Sequence, residues 1–148
     1  MKIAVACDHA GFPYKEAVIA VIREKGHDVV DFGTNSIDAV DFPDYAEAVG
    51  RAIYRKEAER GIVLCGSGVG VSIAANKIRG VRAAICHDAY SAQQGVEHND
   101  MNVLALGARV IGIEKVPALV VAFLDAHFCG EPRQKRRVSK IDALEERE

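Results

Sequence analysis

No stretch of the chain approaches the ~20 consecutive apolar residues that a membrane span requires, and the amino terminus carries no signal-peptide pattern. Both absences point to a cytoplasmic protein with no membrane partner. Charge of one sign is scarce too. Nineteen basic and 21 acidic side chains leave a net charge of −2, which argues against a sequence-blind nucleic-acid binder. None of the four cysteines (Cys7, Cys65, Cys86, Cys129) belongs to a C-x-x-C pair, so zinc-ribbon and thioredoxin motifs are missing and no metal site is expected. In a reducing compartment all four are expected to be free thiols. What remains is ordinary: 49% hydrophobic and 27% charged residues in a chain of 148. That suits one domain over residues 1–148, burying roughly 70% of its unfolded surface around a core that needs no staples.

Short apolar runs alternate with amphipathic segments. Residues 2–7 read as a buried strand, and Pro13 opens a helix with Ala17, Val18, Val21 and Ile22 on one face, ended by Gly26. Val29, Val30 and Phe32 suggest a second strand, and Pro43 a second helix through Ala46, Val49 and Ile53. A third strand spans 61–65 and leads through a glycine-rich turn into a helix over Val71–Ile78. Val81–Cys86 is the fourth strand, followed by Asp88 as an N-cap; Val103–Leu106 is the fifth, and Pro117–Phe128 an apolar helix. Repeated strand–helix–strand units predict an α/β protein with a five-stranded parallel sheet covered on both faces. In such sheets ligands sit at the carboxyl ends of the strands.

The tail after Gly130 differs. Arg133, Lys135, Arg136, Arg137 and Lys140 crowd together, while Val138, Ile141 and Leu144 form a thin apolar seam. Such a helix suits docking on a partner subunit as well as it suits packing on its own domain.

Chemistry concentrates after the third strand, in Cys65-Gly66-Ser67-Gly68-Val69-Gly70. Three glycines in five positions let successive N–H groups turn toward one point at a helix start, a nest for a phosphate or an oxyanion. The alternative is a tight turn with no ligand. The dinucleotide fingerprint fails because Val71 stands where its last glycine belongs, and a Walker loop lacks its Gly-Lys-Ser/Thr. Beside such donors the Cys65 thiolate is favoured and is able to serve as nucleophile or base. Asp8-His9-Ala10-Gly11 follows the first strand at the same edge and suits proton transfer or phosphate contact. His98-Asn99-Asp100, before the fifth strand, reads as a second polar cluster at that edge. Cys7, Cys86 and Cys129 are expected in the core, and His27, His87 and His127 as structural residues.

Together these stretches resemble the family of ribose-5-phosphate isomerase B and the galactose-6-phosphate isomerase subunits. The matching segments are Cys7–Gly11, Asp31–Thr34, Asp41–Ala46, Cys65–Gly70 with Ser72–Lys77, Gly80–Ala84, His98–Asp100 and Gly107–Gly112. The resemblance implies a cofactor-free aldose–ketose isomerase acting on a phosphorylated sugar. It also implies a Rossmann-like three-layer αβα sandwich, and a homodimer with sites at the interface, with pairing into tetramers left open. Carried over residue by residue, Cys65 matches the general base, Ser67 the hydroxyl that moves a proton between substrate oxygens, and His98 the ring-opening residue. Gly66, Gly68, Val69 and Gly70 match the amides that hold an enediolate, and Asp8 and Asn99 contacts to the sugar oxygens. His9, Arg109, Arg133 and Arg137 match phosphate contacts, the last two reaching across from the other subunit. Departures are Ser67 where threonine is common, Phe42 for a frequent tyrosine, and Glu131-Pro132-Arg133-Gln134 where the family often has Gly-Gly-Arg-His.

The expected reaction is interconversion of ribose 5-phosphate and ribulose 5-phosphate. The nearest rival is the same chemistry on a hexose 6-phosphate such as allose or galactose 6-phosphate. Rivals of another class are a non-catalytic flavodoxin-like anion-binding module and a redox sensor built on Cys65, which lacks a nearby resolving cysteine.

Overall fold

Along the central strands, side chains alternate between two unequal faces. Ile3, Val5, Cys7, Ile62, Leu64, Leu104 and Leu106 point into one apolar cluster, while Ala4, Ala6, Val63, Cys65, Val103 and Ala105 point into the other. Both sets are buried, which is why these strands read as continuous apolar runs rather than as an alternating pattern. The computed structural model describes residues 1–147. Its strands β1 (Lys2–Cys7), β2 (Asp28–Asp31), β3 (Arg60–Cys65), β4 (Ala83–Ile85) and β5 (Val103–Gly107) form one parallel sheet in the order β2-β1-β3-β5-β4.

Five helices, α1 (Phe12–Glu24), α2 (Phe42–Tyr54), α3 (Val69–Ala75), α4 (Ala89–Asn99) and α5 (Val116–Asp125), cover it, and α6 (Pro132–Ala143) packs on α4. The large-residue face of the sheet packs on α1, α4 and α5, and the small-residue face on α2 and α3. Gly61 lies against Val49 of α2, where a β-carbon would collide with the valine. The result is the three-layer α/β sandwich that the sequence predicts.

Local chemistry sets the ends. Asp88 accepts the Ser91 N–H at 2.7 Å and caps α4, as expected. The helix expected over Val71–Ile78 runs instead from Val69 to Ala75. Gly68, at φ +82°, starts it two residues early. The Asn76 amide ends it by pairing with both the N–H and the C=O of Ala83. The fourth strand is correspondingly shorter than Val81–Cys86.

Because β1 feeds a helix on one face and β3 a helix on the other, their carboxyl ends diverge and leave a crevice between them. The loop after β2 forms a wall near it and is pinned from beneath by Lys15. This lysine is 2% exposed, and its Nζ donates to Thr34 O at 2.8 Å and Asn35 Oδ1 at 2.7 Å and pairs with Asp31 at 3.0 Å. A buried ammonium is tolerated only with partners of this kind. Replacing it leaves three acceptors short of a donor, so Lys15→Met is expected to lower unfolding free energy by roughly 2–4 kcal/mol. Urea denaturation followed by circular dichroism measures this; an unchanged midpoint would refute the role of the clamp.

Candidate active site

The crevice is built by close backbone approaches that glycine permits. After β1, the Asp8 N–H donates to Leu64 O at 3.1 Å, and Asp8 Oδ1 accepts the N–H groups of Ala10 and Gly11, each at 2.9 Å. Gly11 rides on the end of β3, where a β-carbon would sit 2.6 Å from Leu64 O. After β3, the loop 66–68 folds over the end of β5. A β-carbon on Gly107 would lie 2.6 Å from the Ser67 carbonyl, and Ala108 and Arg109 N–H groups donate to Cys65 O and Gly66 O, both at 2.9 Å.

This fold-over turns the Cys65 sulfur toward main-chain donors. Gly68 N–H points at Sγ, 3.1 Å away, a bond that strengthens when the sulfur carries negative charge. The Ser67 hydroxyl accepts the Val69 N–H at 3.1 Å, which leaves its own proton free to donate. Among the described residues, the N–H groups of Gly66, Ser67 and Gly70 have no acceptor. All three residues line a cavity of ≈ 430 Å³ together with Asp8, His9, Ala10, Phe42, Cys65, Arg109 and Val110.

Two side chains bring positive charge or a donor to the rim. The Arg109 stem crosses Gly66, its Cδ 3.3 Å from where a β-carbon would be, and no acidic side chain pairs with it among the described residues. His9 Nδ1 accepts the Val40 N–H at 3.2 Å. A neutral imidazole accepting at Nδ1 carries its proton on Nε2, so the ring is a donor on its other side. Phe42 packs on the loop, where a β-carbon on Gly70 would meet its ring. An open pocket with free amides, an arginine, an imidazole and a sulfur can hold an anionic ligand and move a proton on it.

Cys65, Ser67, Asp8, His9, Gly66, Gly70 and Arg109 are thus brought together. Gly68 and Val69 are not ligand donors in this arrangement, because their amides serve Sγ and the Ser67 hydroxyl. His98 and Asn99 lie elsewhere, contrary to the expectation that they share an edge with Cys65. Helix α4 runs back against the strand direction, so its last turn leads into the start of β5; the start of β5 pairs with Gly61, whereas Cys65 pairs with Gly107. Asn99 lines a different groove of ≈ 560 Å³ beside β4, bordered by Ile85, Met101, Ile141 and Leu144. Arg133 and Arg137 are exposed on α6, also outside the cavity. Cys129 is exposed, not in the core, because it lies in the segment between α5 and α6; its N–H reaches Glu97 O at 2.9 Å.

His87, expected to be structural, supports the site from below. It follows β4, and its Nε2 accepts the Gly107 N–H at 2.9 Å, directly beneath the loop that holds Ser67. Burial pushes its imidazole below the usual range and keeps that acceptor neutral. Only the fold reveals the pairing, since strand order alone brings residues 87 and 107 side by side.

Sheet order and crevice define a Rossmann-like α/β protein with a polar pocket at the carboxyl ends of its strands. Residues 3–141 match the family model described as Ribose/Galactose Isomerase. Ribose-5-phosphate isomerase B of Escherichia coli (strain K12) is 47% identical over 146 residues, 99% of this chain and 97% of that protein. D-erythrulose-4-phosphate isomerase of Pectobacterium atrosepticum is 40% identical over 153 residues, covering 100% and 97%. Ribose-5-phosphate isomerase B of Mycoplasma genitalium, solved with bound ribulose-5-phosphate, superimposes with a TM-score of 0.93 at 36% identity over 99% and 97% of the two chains. The chain belongs to the ribose/galactose isomerase family.

The thiols differ enough to be told apart chemically. Burial pushes both Cys7 and Cys86 up to about 11, so at pH 8 each is only about 0.1% thiolate. Iodoacetamide on the native protein is expected to label Cys129 and spare Cys7 and Cys86, read by peptide mass spectrometry. Labelling of either buried thiol as fast as Cys129 would contradict the packing.

Proposed function

We propose that the protein interconverts ribose 5-phosphate and ribulose 5-phosphate through an enediolate, with Cys65 as the base. The observation that carries this reading is one cavity lined by the sulfur, by three residues whose amides have no partner among the described residues, and by an arginine with no acidic partner among them. A proton next to a carbonyl leaves only if charge developing on oxygen is stabilised as it forms. In this reading the Cys65 thiolate takes the C2 proton of the open-chain aldose and returns it at C1. The Ser67 hydroxyl passes a proton between O1 and O2, and the Gly66, Ser67 and Gly70 amides hold the enediolate. Each oxyanion donor of this kind is worth roughly 3–4 kcal/mol in other enzymes. Arg109 and the His9 Nε2–H grip the phosphate, which holds the reacting carbons in line.

One chain supplies only part of this machinery. His98, the proposed ring-opening group, and Asn99 sit at the amino ends of the strands, and Arg133 and Arg137 on α6. We take the site to be completed by a second copy of the chain, which brings these four residues to the cavity. Exposed Ile85, Ile141 and Leu144 beside the β4 groove supply apolar surface for that homodimer. The cytoplasm suits the reaction and the free thiols.

Steady-state kinetics is expected to give ribose 5-phosphate a kcat/KM more than tenfold above a six-carbon aldose 6-phosphate. A tenfold preference for the hexose, or for a four-carbon sugar phosphate, would reassign the substrate within the same chemistry.

In deuterated water the wild-type protein is expected to exchange the C2 hydrogen of ribose 5-phosphate. Cys65→Ala is expected to lose that exchange and roughly 10²–10⁴-fold in kcat while still binding the sugar phosphate. Exchange at the wild-type rate in the alanine variant would eliminate sulfur as the base, and no exchange by the wild-type protein would favour the anion-binding module.

A further inference from the structure

Arg82 begins the approach to β4, and its main chain is stitched to the segment ahead of β5. Its N–H donates to Asn102 Oδ1 at 2.8 Å, and its carbonyl accepts Asn102 N–H at 3.0 Å and Val103 N–H at 3.3 Å. The backbone at this position is therefore fixed without help from the side chain. The side chain is 20% exposed and forks in two directions. Nε and one terminal nitrogen reach the Asp100 carbonyl at 2.7 Å and Asp100 Oδ2 at 3.1 Å; the other nitrogen reaches Asp142 Oδ1 of α6 at 3.2 Å.

Both targets adjoin residues assigned to the neighbouring site. Asp100 follows His98-Asn99 directly and ends α4 in a left-handed conformation, φ +50°. Asp142 lies on the helix that carries Arg133 and Arg137. Elsewhere α6 is held by burial of Gln134 and Val138 and by Glu145 near its end, which accepts the Gly80 N–H at 2.7 Å. Among the described residues, Arg82 is the side chain that bonds to both the α4 cap and α6.

We infer that Arg82 is a positioning residue that sets the α4 cap and α6 in one fixed relation, so that a chain delivers His98, Asn99, Arg133 and Arg137 to its neighbour's site as a single unit. The inference rests on the shared-site reading above. A planar guanidinium can serve two carboxylates and a carbonyl at once, which a lysine ammonium on a flexible stem does less well. Small errors in such placement are costly, since a shift near 1 Å can cost about a hundredfold in rate.

Mixed dimers test it. A Cys65→Ala chain paired with a His98→Ala chain regains one working site, with sulfur from the second chain and imidazole from the first. Adding Arg82→Ala to the Cys65→Ala chain, the donor of His98 and the arginines, is expected to cut that recovered activity roughly ten- to a hundredfold, with both raised KM and lowered kcat. Arg82→Lys on the same chain is expected to rescue part of the loss. Adding Arg82→Ala to the His98→Ala chain instead is expected to cost less than twofold. Equal losses from either chain, or no loss from the donor chain, would overturn the positioning role. Absence of any recovery in verified mixed dimers with Arg82 intact would overturn the shared-site reading itself.

Discussion

The site depends on how closely the loop after β3 presses on the end of β5. Gly107 has no β-carbon, and one placed there would lie 2.6 Å from the Ser67 carbonyl. That close approach folds the segment 66–68 back over its own sheet, brings Gly68 N–H to the Cys65 sulfur, and leaves Gly66, Ser67 and Gly70 lining the cavity. His87 satisfies the Gly107 N–H from the far side, so the approach leaves that donor paired. Sulfur, amides and arginine then share one crevice without any strained side chain needing to hold them.

Most of the fold was legible from short-range signals. Apolar runs bounded by glycine and proline marked the five strands, and Pro13, Pro43 and Asp88 marked helix starts that the structure retains. What those signals do not encode is direction in space. His98 is near β5 in the sequence, and β5 ends beside Cys65. Yet a helix leading into a parallel strand terminates at the opposite end of the sheet, and that single geometric fact separates His98 from the sulfur. Cys129 departs from its expected place in the core for a similar reason: its apolar neighbours belong to α5, while the residue itself lies in the connection that follows. His87 and Gly107 are twenty residues apart and meet only because β5 enters the sheet between β3 and β4.

The molecule divides its chemistry between two ends. One end of the sheet carries the sulfur, the free amides and Arg109; the other carries the imidazole of His98, with Arg82 linking its cap to the basic helix α6. On the reading proposed above, the two sets act together only across two copies of the chain. The groove beside β4, with its exposed leucine and isoleucines, adjoins the His98 end, where Asn99 lines it.

The unequal faces of the sheet bear on how this protein tolerates change. Cys65 belongs to the thin layer of alanine, glycine and valine under α2 and α3, not to the thick leucine-rich layer opposite. An added methyl group strains either layer, but alanine, glycine and stiff valine leave the thin one least able to adjust by changing rotamers. Enlargement on the alanine side therefore presses on the same layer that holds Cys65, whereas a change in the leucine layer meets the opposite face of the sheet first.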